Sequence, residues 1–384
     1  MSGIGVGYLG IIILLLLLLS RMHIAVCMGL VGVAGFAYLV GIDPALGLLR
    51  SVPYTTFSSQ GLSAIPLFML MGAFCFSAGI SEDLYRGVHS WLGHLRGGLA
   101  MATVVACGLF AAISGSSLAT VATLGKVALP EMKRYKYSSS LATGAIAAGG
   151  SIGILIPPSI ILIVYGILTE QSIGQLFLAG FVPGVLEAVF YLLTIWYLCR
   201  RNPELGPRGP KTTINQKVTS LGSVWEVVVL FLLVIGGIYL GWFTPTEAAG
   251  VGAFGAFFFA ITRRKLNWVT FKQSLVSTTL TAGMLFAIIL GAMLFGYFLS
   301  VTRLPYELSS SIAELAVNRY LVLIIILVIV LALGCVMDSM AIVLLTVPVF
   351  FPLIIELGFN AIWFGILVVR VTEMGLITPP VGLN

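Results

Sequence analysis

Two short stretches carry side chains suited to holding a hard cation. In the first, Ser114, Ser116, Ser117 and Thr120 offer hydroxyl oxygens around Gly115, and Gly149, Gly150 and Ser151 follow in AAGGSIGILIPPS. In the second, Gly334, Asp338 and Ser339 precede Thr372, Glu373 and Met374 in TEMGLITPP. Hydroxyls, backbone carbonyls and one or two carboxylates form an oxygen-rich set that fits Na⁺ better than a transition metal. The same stretches supply candidate substrate contacts: Ser116, Thr120, Arg370, Glu373 and the paired prolines Pro157, Pro158, Pro379 and Pro380.

Those residues interrupt segments apolar enough for lipid. An unpaired backbone group in hydrocarbon costs several kcal/mol, so a broken helix is tolerated there only against protein or a wet cavity. Two breaks in close succession predict a re-entrant hairpin over 97–133, with its tip at Ser114–Ser117, followed by a broken helix over 138–169. Each tip would join the carbonyl end of one half-helix to the amide end of the next. The carbonyls suit a cation and the amides suit a carboxylate.

The arrangement is duplicated. At an offset of 222, Pro130 falls on Pro352, Gly153 on Gly375, Pro157-Pro158 on Pro379-Pro380 and Ser116-Ser117 on Asp338-Ser339. At 224, Gly72 and Phe74 meet Gly296 and Phe298; at 223, Ala25, Gly29 and Gly32 meet Ala248, Gly252 and Gly255. The ordered set marks a repeat of about 220 residues. The first copy is expected over 1–200, a cytoplasmic linker rich in Pro, Gly and basic residues over 201–222, and the second copy over 223–384. The second hairpin is then 320–357 and the second broken helix 360–380. Residue 384 corresponds to residue 162, whereas the first copy runs on to about 200, so a truncated chain is expected.

Other spans are expected at 4–19, 22–41, 64–80, 174–199, 223–242, 246–262 and up to about 300. Surface segments are expected at 43–61, 81–96 and 263–283. The segment 4–19 lacks a basic preceding region and a small-residue cleavage site, so it reads as a retained span. With the N-terminus outside, the 20 Lys and Arg divide into fifteen in inside loops, three outside and two (Lys126, Arg370) within membrane segments. This satisfies the positive-inside rule, and an odd number of crossings per copy inverts the second copy.

The composition agrees: 59% hydrophobic, 9% charged, mean hydropathy +1.11. A polytopic helical membrane protein has this profile, and a soluble α/β protein does not. The net charge of +6 follows from topology, not from a nucleic-acid surface. The five Cys show no metal spacing, and His23, His89 and His94 form no metal motif. None of these His follows Ser114, as a serine protease would need, and only Asp338 qualifies for a di-aspartyl site. Bland readings stand beside the functional ones. Small residues also pack helices closely, Asp338 can cap a half-helix while binding an ion, and Arg370 can pair with Glu373. Lys126 either snorkels toward the cytoplasm or reaches substrate. Glu187, Glu247 and Glu314 are read as lying near span ends.

The motifs SGSSLATVATLGKVALPEMKRYKY, SLATGAIAAGGSIGILIPPSIILIVYGILTEQSIGQLFLAGFVPG, MDSMAIVLLTVPVFFPL and TEMGLITPPVGLN resemble the large membrane subunit of tripartite ATP-independent periplasmic (TRAP) transporters. The resemblance covers nearly the whole chain. It implies an all-α fold of two inverted repeats, each with a re-entrant hairpin and a broken helix, working as an elevator in the bacterial inner membrane. It implies Na⁺-coupled uptake of an organic acid, such as a dicarboxylate or sialic acid, with no enzymatic cofactor. The implied partners are a periplasmic substrate-binding protein and a small four-helix membrane subunit. Carried over by motif, Ser114–Ser117 with Gly149–Ser151 resemble one Na⁺ site; Gly334, Asp338 and Thr372 resemble the other. Many relatives have Asn near Arg370–Thr372, where this chain reads Arg-Val-Thr-Glu, so substrate identity stays open. A stand-alone sodium–dicarboxylate symporter and a passive channel are the competing classes.

Overall fold

A computed structural model describes residues 2–20, 22–209, 212–222, 224–307, 310 and 318–379, and these contain helices and connections but no strand. The helices are α1 (Gly3–Leu19), α2 (Ile24–Val40), α3 (Ile42–Phe57), α4 (Ala64–Ser77), α5 (Ile80–Leu92), α6 (Gly98–Ser114) and α7 (Ser117–Arg134). Next come α8 (Ser139–Ile152), α9 (Ile160–Leu168), α10 (Ile173–Arg201), α11 (Ile214–Leu221), α12 (Trp225–Phe231) and α13 (Gly237–Tyr239). The last are α14 (Pro245–Thr262), α15 (Trp268–Thr302), α16 (Arg319–Gly334), α17 (Ser339–Glu356) and α18 (Ala361–Leu376). Among the described residues four helices are long and apolar enough to cross a membrane: Gln60–Ser77, Ile173–Arg201, Trp268–Thr302 and Ser339–Glu356. The bent pair Ile214–Ser220 and Trp225–Tyr239 adds a fifth, and Gly3–Leu19, Ile24–Val40, Gly98–Ser114 and Arg319–Gly334 are shorter apolar helices.

Two compact units result, and they cut across the duplication. Among the described residues one comprises those of 2–62, 164–171 and 280–379; the other comprises those of 63–163 and 172–279. The reason lies in small-residue packing. In the first unit α2 lies on α15, and a Cβ on Gly32 would stand 2.7 Å from the Leu294 carbonyl carbon and the Phe295 nitrogen. Phe298 fills the groove left by Gly10 and Gly35. In the second unit α14 lies on α4, with Gly252 against the Met71 thioether and Phe74 tilted on Phe257 at 5.4 Å. By the sequence offsets α2 corresponds to α14 and α4 to α15, so one helix pairing recurs with the repeats exchanged.

The second unit is further tied by charge and by its connections. Arg263 at the end of α14 donates to Asp83 of α5 at 2.5 Å and, from both Nε and Nη2, to Glu226 of α12. Glu226 is 6% exposed, so this pair is largely withdrawn from water. The expected linker is docked: Gly97 N donates to Gly206 O at 2.9 Å and Ser138 N to Leu205 O at 3.0 Å. Tyr137 Oη accepts from Leu99 N and donates to Pro207 O at 2.9 Å. Burial pushes its phenol up to about 12, so it remains a donor at neutral pH. Beyond this, Thr213 and Gln216 form a capping box that starts α11.

Three expectations change. The connector at 81–96 is mostly the helix α5, which buries Ile80, Leu84 and Tyr85. The surface segment at 263–283 is largely the start of the single 35-residue helix α15. Ser58-Ser59-Gln60-Gly61, which breaks the first copy, is replaced there by Ala282-Gly283-Met284-Leu285, which does not compete for backbone hydrogen bonds. Glu187 falls in the middle of α10, away from a span end, and Glu314 lies outside the described residues.

The packing of α2 makes a paired prediction. Gly32→Ala drives a methyl into backbone atoms that cannot step aside and destabilises the protein by about 1–3 kcal/mol. Gly29→Ala meets nothing within 4 Å and is neutral or stabilising by up to about 1 kcal/mol. Thermal unfolding of the detergent-purified variants reads both.

Candidate functional site

The first tip is built from one glycine and one cap. Gly115 takes the left-handed conformation (φ +64°) that stops α6, and its N–H donates to Ala111 O at 2.8 Å. Ser116 is extended, and its Oγ accepts from Ala119 N at 3.3 Å as the N-cap of α7. Carbonyls ending α6 and amides starting α7 therefore meet within three residues. Ser114 Oγ lies 3.1 Å from Thr120 Oγ1, which itself donates to Ser116 O at 2.8 Å. Ser117 and Thr120 are buried. The Thr120 hydroxyl donates to the backbone, and the Ser114 hydroxyl bonds to Thr120 and the Ser116 carbonyl.

The broken helix closes over this tip. A Cβ on Gly115 would lie 3.2 Å from Pro158 O, and one on Gly150 would lie 3.4 Å from Ser117 O. Gly72 of α4 backs the tip, its Cβ position being 2.9 Å from Ser114 Cα. Thus Ser114, Gly115, Ser116, Ser117, Thr120, Gly150 and Pro158 gather at one place, with Pro157 buried beside them. Gly149 belongs elsewhere: it packs on Val104 and Cys107 of α6, two turns below the tip. Ser151 is buried and its hydroxyl donates to Ala148 O at 2.8 Å. Lys126 is exposed on α7.

The second tip uses a carboxylate where the first uses a hydroxyl. Asp338 is extended, and its Oδ2 accepts from Met340 N at 3.1 Å as the N-cap of α17. The end of α16 abuts α18, for a Cβ on Gly334 would lie 2.8 Å from Gly375 Cα and 3.1 Å from Thr372 O. Ser339 Oγ donates to Glu373 Oε1 at 2.6 Å, with both residues buried, and this clamps the start of α17 to α18. Thr372 is buried and donates to Val368 O at 2.8 Å. Met374 is 43% exposed, and its carbonyl is engaged by Thr378 Oγ1. Arg370 is half-buried, Pro379 is exposed, and Pro380 lies outside the described residues. Among the described residues no three His, Cys, Asp or Glu side chains converge on a metal position.

Residues 11–384 match the family described as "Tripartite ATP-independent periplasmic transporter, DctM component". The chain belongs to that family. It is 38% identical over 356 residues to the C4-dicarboxylate TRAP transporter large permease protein DctM of Pseudomonas aeruginosa, covering 90% of this chain and 83% of that one. It is 33% identical to the isethionate TRAP transporter permease protein DctMQ of Oleidesulfovibrio alaskensis, covering 92% of this chain and 56% of that longer protein. The fold is shared with the Alcanivorax borkumensis YdaH transporter at a TM-score of 0.61 and 14% identity, over 89% of this chain and 80% of the other. This DctM-family chain is therefore a polytopic membrane permease, and its relatives are transporters, not enzymes.

Ser339 facing Glu373 is expected from the sequence, beside the alternative of an Arg370–Glu373 pair; the hydrogen bond between their side chains is what the structure adds. The signal available was the register, which sets Ser339 on Ser117 and Glu373 on Ser151. Glu373→Ala in this permease leaves the buried Ser339 hydroxyl without its acceptor and costs about 1–3 kcal/mol. Glu373→Gln retains an acceptor and loses less. Melting temperatures of the two purified variants separate a clamp from a mere space-filler, which would give equal losses.

Proposed function

We propose that this permease is the large subunit of a Na⁺-driven importer of an organic acid. Support comes chiefly from the paired tips: each joins two half-helix ends and lines them with buried oxygen atoms. Oxygen-rich sets of carbonyls, hydroxyls and a carboxylate suit a hard monovalent cation, and helix ends at depth are the usual means of binding ion and substrate in transporters. Ser114, Ser116, Ser117 and Thr120 hold one Na⁺ beside Gly150 in the last turn of α8; Asp338, Ser339 and Thr372 hold another. The amide ends of α7 and α17 attract the substrate's anionic group. C4-dicarboxylate and isethionate, named for two relatives, are small organic anions of the required charge.

A periplasmic binding protein delivers the substrate, and a small membrane subunit braces the permease, as the tripartite family description suggests. The distribution of Lys and Arg supports an inner-membrane placement with the N-terminus periplasmic. Transport follows an elevator movement of the hairpins and broken helices.

The test is uptake of a labelled C4-dicarboxylate or isethionate into proteoliposomes holding the permease, with and without its small subunit and binding protein. Uptake is expected only with the partners and an inward Na⁺ gradient, and replacing Na⁺ by K⁺ stops it. Asp338→Asn is expected to abolish Na⁺-dependent uptake at unchanged membrane abundance. Unaltered Na⁺ dependence in that variant defeats the second-tip assignment, and uptake by the permease alone favours a stand-alone symporter.

A further inference from the structure

In the first unit a cleft of about 420 Å³ opens between α9, α15 and α17. Its α15 wall carries Gly296, Tyr297 and Ser300, and its α17 wall carries Pro348 and Phe351. The third wall is the end of α9. Among the described residues that line the cleft, Glu170 alone is charged. It sits there against local preference. Glu170 follows the α9 cap and is held left-handed (φ +54°) in a Schellman-type turn, closed by Gln171 N donating to Gly166 O at 2.8 Å. Glycine is the ordinary occupant of that position, and a side chain there is strained. The carboxylate also stands at the carbonyl end of α9, where the helix dipole favours positive charge. Such departures mark functional positions more often than structural ones. No described hydrogen bond or ion pair engages that carboxylate.

Other features of the cleft call for the same sign of ligand. Leu168 and Ser300 belong to the last turns of α9 and α15, and α17 ends one turn beyond Pro352, so three carbonyl ends gather about it. None of these helices has a basic residue in its last turn. Pro352 has no N–H, so the Pro348 carbonyl lacks its usual helix donor. Tyr297 and Phe351 add aromatic rings. Arg303, just beyond α15, and Glu356, at the end of α17, are exposed and lie outside the lining.

We propose that this cleft binds an organic cation, a guanidinium or primary ammonium group on an apolar stem, with its charge set against Glu170 and its stem along α15 and α17. A carboxylate, helix carbonyl ends and aromatic rings complement the charged group, and the rest of the lining is as apolar as the stem. The same set repels an anion, so the cleft differs in kind from the site proposed for the transported organic acid. This chemistry has two sources: a free amine, or a Lys or Arg side chain of a docking protein.

Isothermal titration calorimetry of the full-length, detergent-purified permease with n-pentylguanidinium, and with n-pentanoate as an anion on a like stem, tests it. Wild type is expected to bind the cation and not the anion. Glu170→Gln weakens binding roughly fivefold, as far as one exposed ion pair reaches. Gly296→Phe fills the cleft without touching the carboxylate, since no atom stands within 4 Å of a Cβ there, and it removes binding. Glu170→Gly separates a ligand-binding role from a structural one: it is expected to raise the melting temperature of the free permease while losing affinity. Displacement of pentylguanidinium by the periplasmic binding protein assigns the cation to that partner's side chain, and undisturbed binding assigns a free amine; either upholds the site. No binding of the cation by wild type, equal affinity for pentanoate, or affinity unmoved by both Glu170→Gln and Gly296→Phe overturns the proposal. So does a Glu170→Gly variant that melts lower and binds as wild type does.

Discussion

Backbone left unpaired in hydrocarbon is the constraint on which the rest of this structure depends. The chain breaks its helices after Ser114, after Ile152 and after Gly334, and at these breaks protein closes on the exposed peptide groups. Gly115 rests on the Pro158 carbonyl, and Gly334 rests on Gly375 and Thr372. Ser116 and Asp338 cap the helices that restart. Small residues are needed at these places because a Cβ would hold the opposing backbone away. The stretches richest in Gly and Ser are therefore the ones where two broken segments meet.

The same close approach governs the apolar packing. Glycines on α2 and α14 admit the helices α15 and α4, and the pairing is repeated with the sequence copies exchanged. Each of these second helices therefore packs on a helix that lies in the other half of the sequence. This accounts for compact units that mix residues from both halves of the chain.

Much of this was legible in the chain. Hairpin tips and the Asp338 cap follow from Ser, Gly and Asp placed inside apolar runs, because the penalty that forbids breaks elsewhere makes each one informative; the break expected from Gly149 onward starts only after Ile152, since Gly149–Ser151 stay helical. Less legible was anything set by distant partners. Gly149 shares its type and neighbourhood with Gly150, yet it serves α6 packing, a difference fixed by which face of α8 each occupies. The docked linker reads as loose from its Pro and Gly content, but Tyr137 bridging Leu99 and Pro207 holds it. Glu226 and Asp83 gave no local signal, since Arg263 reaches them from 37 and 180 residues away.

The two tips differ in a way that bears on how each would hold a cation. Three positions correspond by register: Ser116 with Asp338, Ser117 with Ser339, and Ser151 with Glu373. Two of the three exchange a hydroxyl for a carboxyl. At the first tip the corresponding side chains are all neutral hydroxyls, so it buries no formal charge at these positions. At the second, Glu373 is buried and Asp338 half-buried, and desolvated carboxylates require compensation. Hydrogen bonds from Ser339 and the Met340 amide supply part of it. The two tips thus differ in formal charge at positions that share a register, a difference made by two side chains.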